Sequence, residues 1–459
     1  MHKPLRLAVV GHTNVGKTSL LRTLTRDVGF GEVSHRPSTT RHVEGARLSV
    51  DGQALLELYD TPGLEDAIAL LEYLERLDQP GERLDGPARL RRFLDGSEAR
   101  QRFEQEAKVL RQLLECDAGL YVLDAREPVL AKYRDELAIL AMAGRPLLPV
   151  LNFVASAQHR AEEWREALAR LGLHALVRFD SVTPALDGER RLYESLALLQ
   201  EQARPRLQRL IEDHERQRQA RRASGWRLIA ELLLDAAACR RSVAPEQEPE
   251  AIQALRNDLR QREQRCVDAL LRLYAFRRED ARTAELPLLD GRWGDDLFNP
   301  ETLKQLGIHI GGGVAAGVAA GVGIDLMFAG ITLGAATLAG ALAGGALQTA
   351  RGYGARLLAK VKGRRELTVD ESVLRLLGVR QSQLLQALEA RGHAATAAIQ
   401  LPTTAPAQDA RWRAGKLPQP LHTARAHPDW SALNPGANLQ QAEREEQLAR
   451  LSLALGNGE

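Results

Sequence analysis

The sequence predicts an α/β fold, a mostly parallel sheet with helices on both faces, followed by an all-α C-terminal region with an apolar, glycine-rich helical hairpin. Three observations carry this. From residue 5 to about 202, short apolar runs alternate with longer amphipathic stretches, the rhythm of strands buried on both faces and joined by crossover helices. A glycine-rich loop, GHTNVGKTS (11–19), stands between the first apolar run and a helical stretch. Residues 306–347 hold one charged residue, Asp325, in a chain that is 27% charged.

The runs LRLAVVG, LLELYDTPG, AGLYVLDA, PLLPVLNF and ALVRFDS are read as strands of the parallel sheet. ARLSVDGQALLELYD differs: an alternating run, a DG turn and a second run predict a β-hairpin and one antiparallel edge. Residues 64–115 exceed what a strand-to-strand connection needs and carry helical periodicity around the polar break DQPGERLDGP, so they are read as an insertion. The first domain is placed at 1–204 and a charged helical region at 205–300, broken near SVAPEQEPE. Within that region Ile252, Leu255, Leu259, Cys266, Leu270 and Leu273 fall close to one helix face. The apolar hairpin with its basic flank RGYGARLLAKVKGRR occupies 301–365, a further helical region 366–400, and a proline-rich linker with a last short helix 401–459.

A chain of 459 residues has room for two or three domains. Its 62 basic and 60 acidic residues nearly cancel, so global charge does not point to nucleic acid. The arginine-rich helices read first as solvated faces. Cys116, Cys239 and Cys266 form no CxxC pair and suggest reduced thiols and not a zinc site. The N-terminal run in MHKPLRLAVVG is too short for a signal peptide, which places the N-terminal domain in the cytoplasm as an expectation.

The loop at 11–19 satisfies GxxxxGK[ST] in the strand-to-helix context that gives the pattern meaning. Backbone N–H groups over Gly11, Asn14, Val15 and Gly16 would wrap a β-phosphate, helped by the positive end of the helix carrying Ser19. Lys17 would reach the β- and γ-phosphates, and the Thr18 hydroxyl would hold Mg²⁺. DTPG (60–63) ends another strand, placing Asp60 on the metal's side and the Gly63 amide near the γ-phosphate.

GHTNVGKTS, then HRPSTTRHVEG, then DTPG resemble, in order and spacing, the Era-like branch of the translation-factor class of P-loop GTPases, over roughly residues 5–200. The resemblance implies GTP and GDP as ligands with Mg²⁺, slow hydrolysis of GTP to GDP and phosphate, and Thr40 as the switch threonine that closes over the metal. It assigns catalysis to Lys17, Thr40 and Gly63, and the metal to Thr18, Thr40 and Asp60. The residue after DTPG is Leu64, so a water-orienting glutamine is absent, as in Era-like relatives. Asn14 matches the asparagine that holds K⁺ against the phosphates in cation-activated members, and its alternative is a purely structural loop role. The whole layout also resembles a bacterial family whose C-terminal domain has no assigned function.

The base-reading motif departs from the family. VLNFVAS keeps Asn152 but has Phe153 and Ala155 where the resemblance implies lysine and aspartate. Losing a bidentate, charge-assisted contact removes on the order of a few kcal/mol of guanine preference. Phe153 could stack on the base or face the core, and Asp180, beside Ser181 in RFDSV, is the nearby carboxylate placed to take over.

Roughly 20 apolar residues cross a bilayer. GVGID (321–325) divides the apolar run in two, which predicts a membrane hairpin with both flanks inside. Glycines at four-residue spacing, Gly313, Gly317 and Gly321, would let its helices approach closely, and a soluble glycine-zipper hairpin is the alternative. The function expected is a GTP-dependent switch coupled to a C-terminal region at the cytoplasmic face of the inner membrane. The alternative is a cytoplasmic, nucleotide-dependent module with negligible turnover that binds RNA or a protein partner.

Overall fold

The computed structural model describes residues 3–26, 43–77, 84–275 except 157, 183 and 186, then 288–289, 292–293, 296–298, 331–333, 365–390 and 416–457. The chain forms two compact units, Met1–Gln217 with Ala390–Ala397, and Arg218–Glu389 with Ala398–Glu459.

The first unit opens with β1 (Leu5–Val10) and α1 (Lys17–Thr25), then β2 (Glu44–Val50) and β3 (Gln53–Asp60). β2 and β3 pair antiparallel around Asp51 and Gly52, both at positive φ, as a DG hairpin turn requires. The following segment folds as α2 (Ala67–Glu75), α3 (Gly86–Asp95) and α4 (Glu104–Glu115). Then come β4 (Ala118–Asp124), α5 (Ala131–Ala141), β5 (Leu147–Asn152), α6 (Ala161–Arg170), β6 (Val177–Arg178) and α7 (Gly188–Leu199). The sheet order is β2-β3-β1-β4-β5-β6, with every pair parallel except β2 with β3.

Alternation along the strands divides the core between the two faces. Ala8, Val10, Tyr121, Leu123 and Leu151 pack with α2 to α6, including Leu70, Phe93 and Leu113 of the inserted helices. Leu7, Val9, Leu120, Val122 and Val150 pack with Leu20 and Leu24 of α1 and Leu192 and Leu196 of α7. The insertion therefore buries its apolar stripe on one face of the sheet. All seven residues of β4 are buried, which is why its run shows no polar alternation.

The boundary between the units falls within α8 (Arg204–Ala238), a helix of 35 residues. The second unit continues with β7 (Arg240–Val243), α9 (Glu248–Leu273), the short hairpin β8 (Leu288–Leu289) and β9 (Arg292–Trp293), β10 (Ile331–Leu333), β11 (Arg365–Val369), α10 (Glu371–Ala390), α11 (Gln419–Ala424) and α12 (Ala442–Asn457). Pro249, near the start of α9, suits the first turn, where its missing N–H costs nothing. Ile252, Leu255, Leu259, Cys266 and Leu270 are buried with Leu233 of α8, Leu377 of α10 and Leu451 of α12, while Leu273 is only partly covered. Arginines of α8 meet carboxylates: Arg222 with Glu389 at 3.6 Å and Arg227 with Glu445 at 2.6 Å. The three cysteines are free and buried, and burial pushes the Cys116 thiol up to about 11 and those of Cys239 and Cys266 up to about 12. They are unreactive as thiolates near neutral pH.

The second unit is helical but not all-α. β10, β11 and β7 form an antiparallel sheet in the order β10-β11-β7, with Ile331 opposite Val369 and Leu367 opposite Arg241. This corrects the reading of the apolar run as two uninterrupted helices. A bilayer-spanning helix satisfies its backbone within itself, whereas residues 331–333 give theirs to β11. The remainder of 306–347, including the glycine spacing and Asp325, lies outside the described residues. Among the described residues, no helix is long and apolar enough to cross a membrane.

The core of this unit also holds a buried carboxylate. Glu263 of α9 is 5% exposed and faces Arg380 of α10 at 3.6 Å, with the Gln381 amide at 3.4 Å. Burial pushes its carboxyl from 4.5 up to about 7, against the opposing pull of Arg380 and Gln381. The folded state thus binds this proton more tightly than the unfolded chain. Its stabilising contribution is complete below 4.5 and is lost as pH rises through about 7. Thermal melts should show the difference in melting temperature, Glu263→Gln minus natural, rising between about pH 5 and about pH 8, by the equivalent of a few kcal/mol. A difference that stays flat across that range would contradict the assignment.

Candidate nucleotide site

The loop between β1 and α1 has a conformation that its residue types make possible. Gly11 has φ +142° and Gly16 φ +90°, and a β-carbon on Gly11 would stand 2.4 Å from the Val122 carbonyl oxygen. Asn14 also lies in the left-handed region, at φ +63°, and is exposed, while Val15 is buried. Gly63 closes the loop from the β3 side, where an added β-carbon would meet the Thr13 backbone nitrogen at 2.7 Å. Leu64 donates its N–H to the Gly11 carbonyl at 3.3 Å, and its own side chain is buried in the core.

The charged residues converge at the start of α1. Lys17 is 6% exposed, and its Nζ donates to the carbonyls of Gly11 at 3.1 Å and His12 at 2.8 Å. Burial lowers its pKa to about 8, partly offset by Asp60 and Glu136, so it remains a cation at neutral pH. Thr18 Oγ1 donates to Asp60 Oδ2 at 2.5 Å. Asp60 is 1% exposed, and burial raises its carboxyl to about 6 despite the Thr18 bond and the charge of Lys17. Its Oδ1 is buried with no hydrogen-bond partner. A buried carboxylate with one oxygen unsatisfied, touching a hydroxyl, fits a hard divalent cation, which would supply the charge that burial has removed. Thr18 and Asp60 would hold Mg²⁺. Thr40, expected as its third protein contact, lies outside the described residues.

Asn152 holds the base side of the site together. It is 1% exposed; its Nδ2 donates to the Val15 carbonyl at 3.1 Å, and its Oδ1 accepts the N–H of Phe153 and of Ser181, each at 2.9 Å. Thr23 of α1 donates to the Ser181 carbonyl at 2.9 Å. The loops after β5 and β6 are thereby fastened to the phosphate loop. Asp180 is 5% exposed and accepts the N–H of Ala155 on Oδ2 and of Val182 on Oδ1, both at 2.9 Å. Its carboxylate thereby ties the loops after β5 and β6 to each other.

Several participants were not singled out from the sequence. Arg126, just after β4, is held by Asp124 through Nε to Oδ1 at 2.9 Å and Nη2 to Oδ2 at 2.7 Å, and its guanidinium lies 4.1 Å from the centre of the Phe153 ring. Their place at the carboxyl end of a central strand was a usable signal, since ligands of such sheets bind there. His12 bridges Glu136 at 2.8 Å and Lys132 at 3.0 Å, and Glu136, wholly buried, accepts the Tyr121 hydroxyl at 2.8 Å. The Lys132 ammonium can only donate, so His12 Nε2 accepts and Nδ1 carries the proton to Glu136. Glu106 of α4 accepts the N–H of Glu65 at 3.2 Å and Asp66 at 3.1 Å, tying the inserted helices to the segment after DTPG. Pairings so distant in sequence leave no local trace.

Residues 165–453 match the model of a family described as a domain of unknown function, DUF3482. The chain belongs to the DUF3482 family. Ahead of that domain, residues 6–153 match a model described as 50S ribosome-binding GTPase, so this DUF3482 chain carries a P-loop GTPase domain that binds guanine nucleotide. A curated relative, the probable GTP-binding protein EngB of Oleidesulfovibrio alaskensis, is 29% identical over 194 residues, 42% of this chain and 75% of its own length. Among solved structures, Aquifex aeolicus Era bound to GDP and aluminium fluoride is 20% identical with a TM-score of 0.31. Era in complex with MgGDPNP and a segment of 16S ribosomal RNA is 18% identical with a TM-score of 0.32. Each likeness covers 43% of the DUF3482 chain and 57% of the Era chain, so this chain spans little more than half the length of those relatives. The G domain of the T. maritima FeoB iron transporter is 21% identical, covered to 99%, with a TM-score of 0.26. TM-scores this low carry no argument about function.

Proposed function

We propose that the chain is a Mg²⁺-dependent GTP switch with slow turnover, and that its DUF3482 region is the part that responds to the nucleotide. The observation that carries this reading is the contact between Thr18 and Asp60, with the second Asp60 oxygen buried and unsatisfied beside the Lys17 ammonium. Lys17 and the Gly63 amide would stabilise a γ-phosphate, Thr18 and Asp60 would hold Mg²⁺ with Thr40 as the further contact that the resemblance implies, and Asn14 would hold a K⁺ supplying the charge that an arginine finger provides elsewhere. Asn14 has a left-handed backbone and is exposed, which is compatible with that role. A bilayer-spanning hairpin is not part of this reading, because β10 interrupts the second of its two halves.

The test is phosphate release from Mg²⁺-GTP by the full chain in K⁺ and in Na⁺ buffers. Turnover should be slow and faster in K⁺, and Asn14→Ala should remove the difference. Equal rates in the two salts would return Asn14 to a structural role. Tight GTP binding with no release above background would leave a switch without hydrolysis.

A further inference from the structure

We propose that Phe153, braced by the Arg126 guanidinium, is a stacking platform for the nucleobase, so that the site takes purine nucleoside triphosphates as a class and does not select guanine. This rests on the nucleotide-site reading above.

Four observations carry it. The first is place: Asn152 and Thr23 fasten the loops after β5 and β6 to Val15 and along α1, so a nucleoside leaving the phosphate loop passes Phe153. A β-carbon on Gly16 would stand 3.0 Å from the Phe153 ring, which puts the ring against the phosphate loop itself. The second is backbone: Phe153 sits at φ +59°, a region bulky residues avoid, held there by the bond from its N–H to Asn152 Oδ1. A residue serving only the core would not need that conformation. The third is Arg126, whose guanidinium lies over one ring face and is locked by Asp124, which braces the ring from that side. Phe153 itself remains partly exposed. The fourth is the missing reader: Ala155 stands at the aspartate position, and Asp180 is bonded to the Ala155 and Val182 amides. What remains is a flat π-surface, and base–aromatic stacking is tolerant of base identity because every base has a π-face.

The experiment is competition against a fluorescent GTP analogue on the full chain, using GTP, ATP, ITP and inorganic tripolyphosphate with Mg²⁺. In the natural protein GTP, ITP and ATP should compete within about tenfold of one another. Phe153→Ala should weaken all three by the same factor, about tenfold, and leave tripolyphosphate unchanged. Phe153→Trp should restore or exceed natural affinity for all three, which separates a stacking role from a folding defect. Arg126→Ala should weaken the nucleotides about threefold and equally, with Arg126→Lys recovering part of the loss and tripolyphosphate again unchanged. A natural preference for GTP over ATP of more than about a hundredfold, or a Phe153→Ala loss confined to GTP, would overturn the platform while leaving the phosphate site standing. Failure of tripolyphosphate to compete at all would overturn the nucleotide site and the platform with it.

Discussion

Lys17→Ala and Asp60→Ala should each lower Mg²⁺-GTP affinity by at least about a hundredfold while leaving the fold intact. Among the described residues Lys17 is the cation whose ammonium reaches the Gly11 and His12 carbonyls of the phosphate loop, whereas Lys132 touches that loop only through the His12 ring. Asp60 acts differently. It contacts Thr18 and carries the unsatisfied Oδ1, so its loss should remove the Mg²⁺-dependent increment of binding, whereas loss of Lys17 should weaken binding with or without metal. Each site is covered, but neither fills a large apolar volume, so thermal melts of both variants should stay close to natural. Replacing Asp60 removes a carboxylate whose ionisation burial already opposes, which offsets part of the cost of leaving the Thr18 hydroxyl without its acceptor in the metal-free protein. Calorimetry with and without Mg²⁺ separates the two effects. An Asp60→Ala protein that keeps its full Mg²⁺ response would place the metal elsewhere.

The second large effect is expected at Asn152, and on stability as well as binding. Its side chain satisfies the Val15 carbonyl and the N–H groups of Phe153 and Ser181 from a 1% exposed position. Asn152→Ala leaves those three backbone groups buried and unsatisfied, at about 1–3 kcal/mol for each group that water cannot reach. Partial relaxation should bring the total to about 2–4 kcal/mol, read as a shift in the urea midpoint with an unchanged slope. Nucleotide affinity should fall with it, because the loops after β5 and β6 lose their tie to the phosphate loop. Asn152→Asp keeps the acceptor for Phe153 and Ser181 but loses the donor to Val15, and should lie between. An Asn152→Ala protein as stable as the natural one would mean that the three loops are held by other contacts.

The sheet was legible because its signals are local. Each central strand is a short apolar run, the edge hairpin announces itself by Asp51-Gly52, and the phosphate loop is a contiguous motif whose glycines stand where positive φ is needed. The sheet of the second unit was not. β7 reads RRSV with no residue fully buried, and its partner β11 lies more than a hundred residues further on, so neither periodicity nor a turn announced it. β10 lies inside an apolar run whose composition suits helix and strand equally, and only the pairing of Ile331 with Val369 distinguishes them. The basic flank likewise runs at Arg365 into RELTV, where alternation over five residues is too short to outweigh the surrounding charges.

The nucleotide site divides along the same line. Motif spacing alone brings Lys17, Thr18 and Asp60 together at one edge of the sheet, because strand-to-helix loops of a parallel sheet open there and contiguous residues set their geometry. Chain folding decides the rest: Arg126 over Phe153, Asp180 turned into its own loops, His12 bonded to Glu136, and Glu106 holding Glu65 and Asp66. These contacts join residues from 25 to 124 positions apart, and side-chain chemistry at either end is compatible with many partners. Local backbone preference acts over a few residues and can be read in order. A hydrogen bond or ring contact between remote segments exists only once packing has brought them within about 3–4 Å.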